Sequence, residues 1–345
     1  MTQPLRELFD AELVADVRRM GARPLGAGPD AIAVDAEDAA AREALWQVLT
    51  ELGALHPGDL GGQLAAAEVL GEALYAGPYA DTVTALDLID DESLRAGIAE
   101  GTITVAVAAR ADGSADPVVP GAMVVDGDTV TASRRFVPFA AEVTHLLVVG
   151  TTGDGAVRLA LVTRDDPGVR LRRQDDITRG DLCTVRFEAV PVTSWLTGSW
   201  PDALARARSR HAAYLVGLSA GALRLTVDYT KRRYQFGQPI ARHQSLALRL
   251  AALYARIEAA RDLTQSTVDG SGADLVRTAA QALAMAGELA RDVTTDAIQL
   301  HGAYGMTERC DAQLYYRRAA LDAIWLGTPT QLRLVAAREL EGVRS

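Results

Sequence analysis

The spacing of apolar residues changes period twice along this chain, so no architecture built from one kind of element can accommodate it. From about Arg6 to Ala96 the pattern is helical, as in the Ala-rich stretches Ala40–Leu52 and Gln63–Leu74. Side chains three and four apart share one face of a helix, so these stretches predict amphipathic helices. Pro57-Gly58, Gly61-Gly62 and Gly77-Pro78 read as loops between them. At about Gly101 the period falls to two, beginning with the β-branched run Thr102–Val107. Strand-like runs continue at His145–Val149, Val157–Thr163, Val169–Arg172 and Thr184–Val190. Asp126-Gly127 predicts a hairpin, because a tight two-residue loop needs φ > 0. From about Pro201 the helical period returns, with Leu215, Leu218, Ala222, Leu225 and Tyr229 along one face. Four long helices are expected, Asp202–Arg232, His243–Asp269, Asp274–Gly302 and Thr328–Glu341. The predicted fold is α+β: a helical domain over 1–97, a compact β-domain or barrel over 98–197 and a four-helix bundle over 198–345.

Composition narrows the function classes. The 345 residues carry a formal charge of −10, which disfavours nonspecific nucleic-acid binding, since that needs basic surface. The two cysteines, Cys183 and Cys310, and the five scattered histidines form no metal-ligand pattern, so no metal is expected. The early acids Glu7, Asp10 and Glu12 replace any signal-peptide core, and no apolar run is long enough to span a bilayer. The expected location is the cytoplasm, without membrane insertion.

Three motifs in the last third carry the chemistry: Arg233-Tyr234-Gln235-Phe236-Gly237, Gln299-Leu300-His301-Gly302-Ala303, and Leu326-Gly327-Thr328. In this order and spacing they resemble the acyl-CoA dehydrogenase family of flavoenzymes. The resemblance is strong from about Arg206 to Arg333, moderate in the β-domain and weak near the N-terminus. It implies the predicted three-domain architecture and FAD as the cofactor. It also implies a role for each motif. Arg233 would pair with the flavin pyrophosphate across a subunit interface, as a planar guanidinium grips phosphate oxygens bidentately. Phe236 would pack near the adenosine, and Gln244 would add a further flavin contact. Gln299, Gly302 and Ala303 would approach the adenine-diphosphate arm, where glycine lets backbone come close. Thr328 would cap the last helix and meet the diphosphate at its N-terminus. His301 is expected to pack rather than catalyse.

The catalytic position is where the chain departs from the family. Dehydrogenation beside a thioester needs a general base near the α-carbon. The resemblance places a glutamate immediately before Gly327-Thr328, or on the helix preceding the Arg233 motif. Here those positions hold Leu326 and Ala207. Glu308 is the nearest substitute, although this motif carries a glutamate there without a catalytic role. In the β-domain, Phe136 takes the place of a tryptophan against the flavin ring, and Pro138 has no hydroxyl or N–H to offer.

The expected function is that of an acyl-CoA dehydrogenase-like flavoprotein subunit in FAD-dependent α,β-dehydrogenation of an acyl-CoA, without its own base. Its expected partners are a paralogous dehydrogenase subunit or a second copy of itself in a tetramer, and an electron-transfer acceptor. Two alternatives stay open. One is a secondary-metabolite tailoring enzyme acting on a CoA- or carrier-protein-bound acyl group. The other is a flavin-free binding protein.

Overall fold

The computed structural model describes residues 46–342 except 52, 57–59, 112–117, 175–176 and 178–181. The helices expected before residue 46, and the segments Pro57-Gly58 and Asp112-Gly113-Ser114, lie outside the described residues. The chain forms two compact units. The first takes Leu60–Tyr75 and the chain from Arg208 onward; the second takes Ala76–Ala207 and the described part of 39–59.

In the second unit, α2 (Tyr79–Leu86) and α3 (Glu92–Ala99) lead into the strands. Asp91 caps α3, its carboxylate accepting from the backbone N–H groups of Ser93 and Leu94. The strands are β1 (Val105–Ala108), β2 (Gly121–Asp126), β3 (Thr129–Pro138), β4 (His145–Thr151), β5 (Val157–Thr163), β6 (Val169–Arg173), β7 (Leu182–Pro191) and β8 (Ser194–Leu196). They form one eight-stranded sheet in the order β6-β7-β3-β2-β4-β5-β8, with β1 added parallel beside β4. The expected hairpin joins β2 to β3, with Gly127 at φ 56. Val130, Val148, Val162, Val185 and Phe187 point into one apolar core. β3 alternates partly, but β4 and β5 are buried on both faces, with Leu147, Val149 and Leu161 as buried as Val148 and Val162.

Where β2 pairs with β4 only at Gly121↔Gly150 and Ala122↔Thr151, backbone carbonyls need other donors. Buried Arg134 supplies them, donating to the carbonyls of Gly121, Ala122, Ser133 and Val149. Burial lowers its guanidinium pKa to about 10.

In the first unit, α1 (Leu60–Glu72) meets the long helix α4 (Trp200–Arg232) backbone to backbone. A Cβ at Gly71 would strike the Tyr214 carbonyl, and one at Gly217 would strike that of Glu68. α5 (Gln244–Gln265), α6 (Gly272–His301) and α8 (Pro329–Gly342) follow the expected spans closely. A further helix, α7 (Ala312–Asp322), occupies a stretch for which the apolar spacing predicts no helix. Eleven residues rich in charge and tyrosine give a weak apolar period, so tertiary packing had to define it. Leu215, Leu218 and Ala222 on α4 and Leu283, Leu289 and Val293 on α6 lie in one shared core.

Candidate functional site

α4 runs out at Arg232, and the chain turns back through a two-stranded hairpin, β9 (Tyr234–Gln235) and β10 (Gln238–Pro239). The Arg233 N–H still bonds the Tyr229 carbonyl, and its own carbonyl accepts from Ile240, so the hairpin is anchored on the helix end. The loop residues Phe236 and Gly237 have φ 53 and 78. Both signs are positive, as a type I′ turn requires, and phenylalanine is an unfavourable residue there. The residue is 91% exposed, and its ring meets His243 in an edge-on arrangement with centroids 6.1 Å apart. Arg233 is exposed on the same hairpin, and Gln244 is exposed one residue beyond His243.

The second motif is brought to the same end of the unit. Tyr229 stacks on His301 with centroids 4.3 Å apart and lies 6.3 Å from the Tyr304 ring. α6 ends at Gly302 with φ 63 and ψ −145, a conformation that suits glycine. Gln299, Gly302 and Ala303 are all exposed there. His301 is buried, and its Nδ1 lies 2.8 Å from the Ala297 carbonyl; burial pushes its pKa down. This is a packed, neutral histidine. Glu308 is exposed and has a partner of its own.

The segment leading into the third motif meets α6 elsewhere. A Cβ at Gly287 would come within 2.8 Å of the Ala323 carbonyl, so this segment crosses α6 at position 287. Twelve residues of helix, about 18 Å at 1.5 Å each, separate that crossing from Gln299. Thr328 and Gln331 form a reciprocal capping box. The Thr328 N–H and hydroxyl reach the Gln331 Oε1 at 2.9 and 2.8 Å, and the Gln331 N–H reaches back to the threonine at 3.3 Å. Pro329 takes the first helical position, where its missing N–H costs nothing.

Beside it, buried Arg208 donates from Nε to the Leu326 carbonyl at 3.2 Å. Leu326 packs against the helical core, and Ala207 is buried. One turn past Ala207, His211 places Nε2 2.7 Å from the Asp322 carbonyl, and burial lowers its pKa. The Tyr214 ring lies parallel to it at 5.8 Å, and Arg318 faces the Asp322 carboxylate at 3.9 Å. No motif in the sequence predicts this polar seam. Its only signal in the sequence is the four-residue spacing of His211 from Ala207 and of Asp322 from Leu326.

Phe136 belongs to the β unit. β3 bulges between Arg134 and Val137, and Phe136 takes φ 55 within the bulge. The guanidinium carbons of Arg110 and Arg135 lie 4.6 and 5.1 Å from its ring centroid. The ring already has two cation–π partners. Among the described residues no group of His, Cys, Asp or Glu could hold a metal ion.

The family model for the acyl-CoA dehydrogenase C-terminal domain matches residues 201–341. Acyl-CoA dehydrogenase IpdE2 of Mycobacterium tuberculosis is 31% identical over 322 residues, covering 89% of this chain and 90% of that protein. The chain belongs to the acyl-CoA dehydrogenase family. Acyl-CoA dehydrogenases are FAD-dependent oxidoreductases, and this chain has their fold. A solved structure of a variant of the Tcur3481-Tcur3483 steroid ACAD superposes with a TM-score of 0.80 at 26% identity, covering 99% of both chains. The 3-sulfinopropanoyl-CoA desulfinase of Paraburkholderia xenovorans (strain LB400) is 40% identical over 132 residues. That match covers 38% of this chain and spans about a third, 34%, of the desulfinase.

The residues present fit an acyl-CoA dehydrogenase flavin unequally. Arg233, Phe236, Gln299 and Gly302 offer an exposed cation, an exposed ring and an opened backbone to a nucleotide. Phe136 offers a ring already engaged by two arginines.

Proposed function

We propose that this chain is an acyl-CoA dehydrogenase subunit that completes a flavin site on a neighbouring subunit. The observation that carries this reading is Phe236. A large ring held at positive φ and 91% exposed costs the isolated chain stability and gains it nothing. It makes sense as one half of a site that another chain covers. Arg233 on the same hairpin would hold the diphosphate, and Gln299 and Gly302 would border its adenosine end. FAD, when bound, takes the hydride from the β-carbon of an acyl-CoA. Neither Leu326 nor Ala207 can take the α-proton, so the partner supplies the base in this reading.

The reaction itself is part of the proposal, because a fold does not fix chemistry. One relative is named for desulfination and another for dehydrogenation; both names include a CoA thioester. The steroid ACAD neighbour favours a bulky acyl group. Apolar side chains exposed on α5 (Leu248, Tyr254) and α8 (Leu334, Leu340) favour a tetramer, made with a paralogue in preference to self. The cytoplasmic location belongs to the same reading.

The test is the colour and mass of the purified protein. A colourless chain that yellows and forms a larger species with its paralogue, by absorbance and light scattering, supports the reading. A yellow homo-oligomer active alone, or a stable monomer in both conditions, refutes it.

A further inference from the structure

The turn that follows α7 leaves one donor and one acceptor without partners. The Asp322 carbonyl accepts from the Trp325 N–H at 3.1 Å and lies 2.7 Å from His211 Nε2. A carbonyl oxygen has two lone pairs, and both are then in use. Ala323, Ile324 and Gly327 bond their N–H groups to the carbonyls of Ala319, Leu321 and Ile324. In a regular helical turn the Leu326 N–H would point back to Asp322. It has no acceptor among the described residues.

The same contact fixes the histidine. A carbonyl oxygen can only accept, so Nε2 carries the proton. Burial lowers the ring's pKa, against the Asp322 carboxylate, which raises it, and the ring is neutral. Nδ1 is therefore a bare acceptor, and no described residue donates to it.

A histidine that only ties α4 to the end of α7 would account for Nε2. It would not account for Nδ1, or for the opening beside it. From Ala207 to Ser219 on α4, only His211 and Tyr214 are not buried. Leu326 is half-buried as well. The Tyr214 hydroxyl lies near the Asp322 carboxylate but makes no hydrogen bond. Helical side chains lean toward the N-terminus, so the His211 ring covers the turn of Ala207. Arg208 on that turn donates to the Leu326 carbonyl. The bare nitrogen and the free N–H thus border the two positions, Ala207 and Leu326, where the family resemblance expects a glutamate.

We propose that His211 is a general base at this chain's own acyl position, where the Leu326 N–H holds the thioester oxygen and the chain exchanges α-protons of an acyl-CoA without oxidising it. This rests on the reading of the chain as one that takes acyl-CoA thioesters. It needs neither flavin nor a partner, and dehydrogenation stays at the flavin site on the neighbouring subunit. Nδ1 takes a proton from the α-carbon. The C–H electron pair forms a carbon–carbon double bond, and the carbonyl π pair moves onto the oxygen, where the Leu326 N–H meets it. The imidazolium then returns a proton, or a deuteron gained from solvent, to the same carbon. No electrons leave the ligand. The titratable groups around the ring are Arg208 and Tyr214 on α4 and Arg318 and Asp322 on α7.

The experiment uses the full chain, purified alone, in deuterated buffer without added FAD. The probes are acyl-CoA thioesters from butyryl-CoA to a bulky cyclic one. Mass spectrometry follows deuterium at the α-carbon, and calorimetry follows binding. Exchange above the uncatalysed rate is expected, level above about pH 6.5 and falling below it as the ring takes a proton. His211→Gln keeps an N–H for the Asp322 carbonyl and removes the base. It should unfold at the parent's urea midpoint and lose about 100-fold or more in exchange. The proposal is overturned if no probe binds, if bound probes do not exchange, if H211Q exchanges at the parent's rate, or if the parent's rate stays level down to pH 5. Should H211Q fail to fold, the parent's pH profile decides. Dye reduction by the complex with its paralogue tests the dehydrogenase reading separately. Its failure beside intact exchange would sink that reading alone, and lost exchange beside intact dye reduction would sink this one alone.

Discussion

Replacing Phe236 with glycine separates the cost of the hairpin from its use. A side chain in the left-handed region costs about 1–2 kcal/mol, and glycine relieves that strain. Glycine gives back about 0.5–1 kcal/mol through its greater freedom in the unfolded chain. Because the ring is 91% exposed, little packing is lost. The flavin-free F236G chain should therefore be more stable than the parent by about 0.5–1 kcal/mol. The assembled complex should behave in the opposite way. Covering a phenylalanine ring contributes about 1.5–3 kcal/mol, so its removal should weaken FAD about 10- to 150-fold. Urea denaturation of the chain alone measures the first quantity, and flavin fluorescence titration of the complex measures the second. A destabilised chain that binds FAD as tightly as the parent would refute the reasoning, because the ring would then be a structural part of its own subunit.

Four further outcomes are expected. Arg233→Ala should reduce bound flavin in the complex, at a cost of about 1.5–3 kcal/mol for a charge-assisted contact, read as FAD absorbance per chain. The isolated chain in saturating FAD should reduce dye with no acyl-CoA in a panel that includes bulky ones; turnover of roughly 1 per second or more would reveal a base elsewhere. Thr328→Ala should cost about 1 kcal/mol in urea denaturation by opening the capping box. Asp81 accepts one N–H from Val107, yet burial raises its carboxyl pKa to about 7, so the folded chain binds that proton more tightly than the unfolded chain. Stability from this group should fall as pH rises from about 4 through about 7, and Asp81→Asn should flatten that slope.

Local pattern carried most of the architecture. The change from helical to two-residue period and back located most of the β-strands, though not β8, and all four expected helices after residue 200 to within a few residues. Most of those elements bury one face of their own, and the spacing records that face directly; β4, buried on both, shows instead as an unbroken apolar run. α7 escaped because its burial depends on α6 and on Tyr315, whose hydroxyl bonds the Glu72 carbonyl far away in sequence. The motif order identified the family, since Arg233, Phe236, Gln299 and Gly302 are adjacent to turns that only a few residue types allow.

What the sequence could not contain was where those motifs meet. The Tyr229–His301–Tyr304 stack brings the first two motifs to one end of the helical unit, and the Gly287 crossing sets Ala323, just before the third motif, about 18 Å along α6 from Gln299. Absence of a carboxylate at Leu326 and Ala207 was plain from the letters alone. The polar seam of His211, Asp322 and Arg208 was not, because its hydrogen bonds join residues more than a hundred positions apart. Likewise, Arg170 and Arg186 look like ordinary scattered charge until β-pairing sets them face to face. Periodicity is a property of neighbours in the chain, so it can be read from sequence. Juxtaposition of distant side chains depends on register and helix crossing, and only packing decides those.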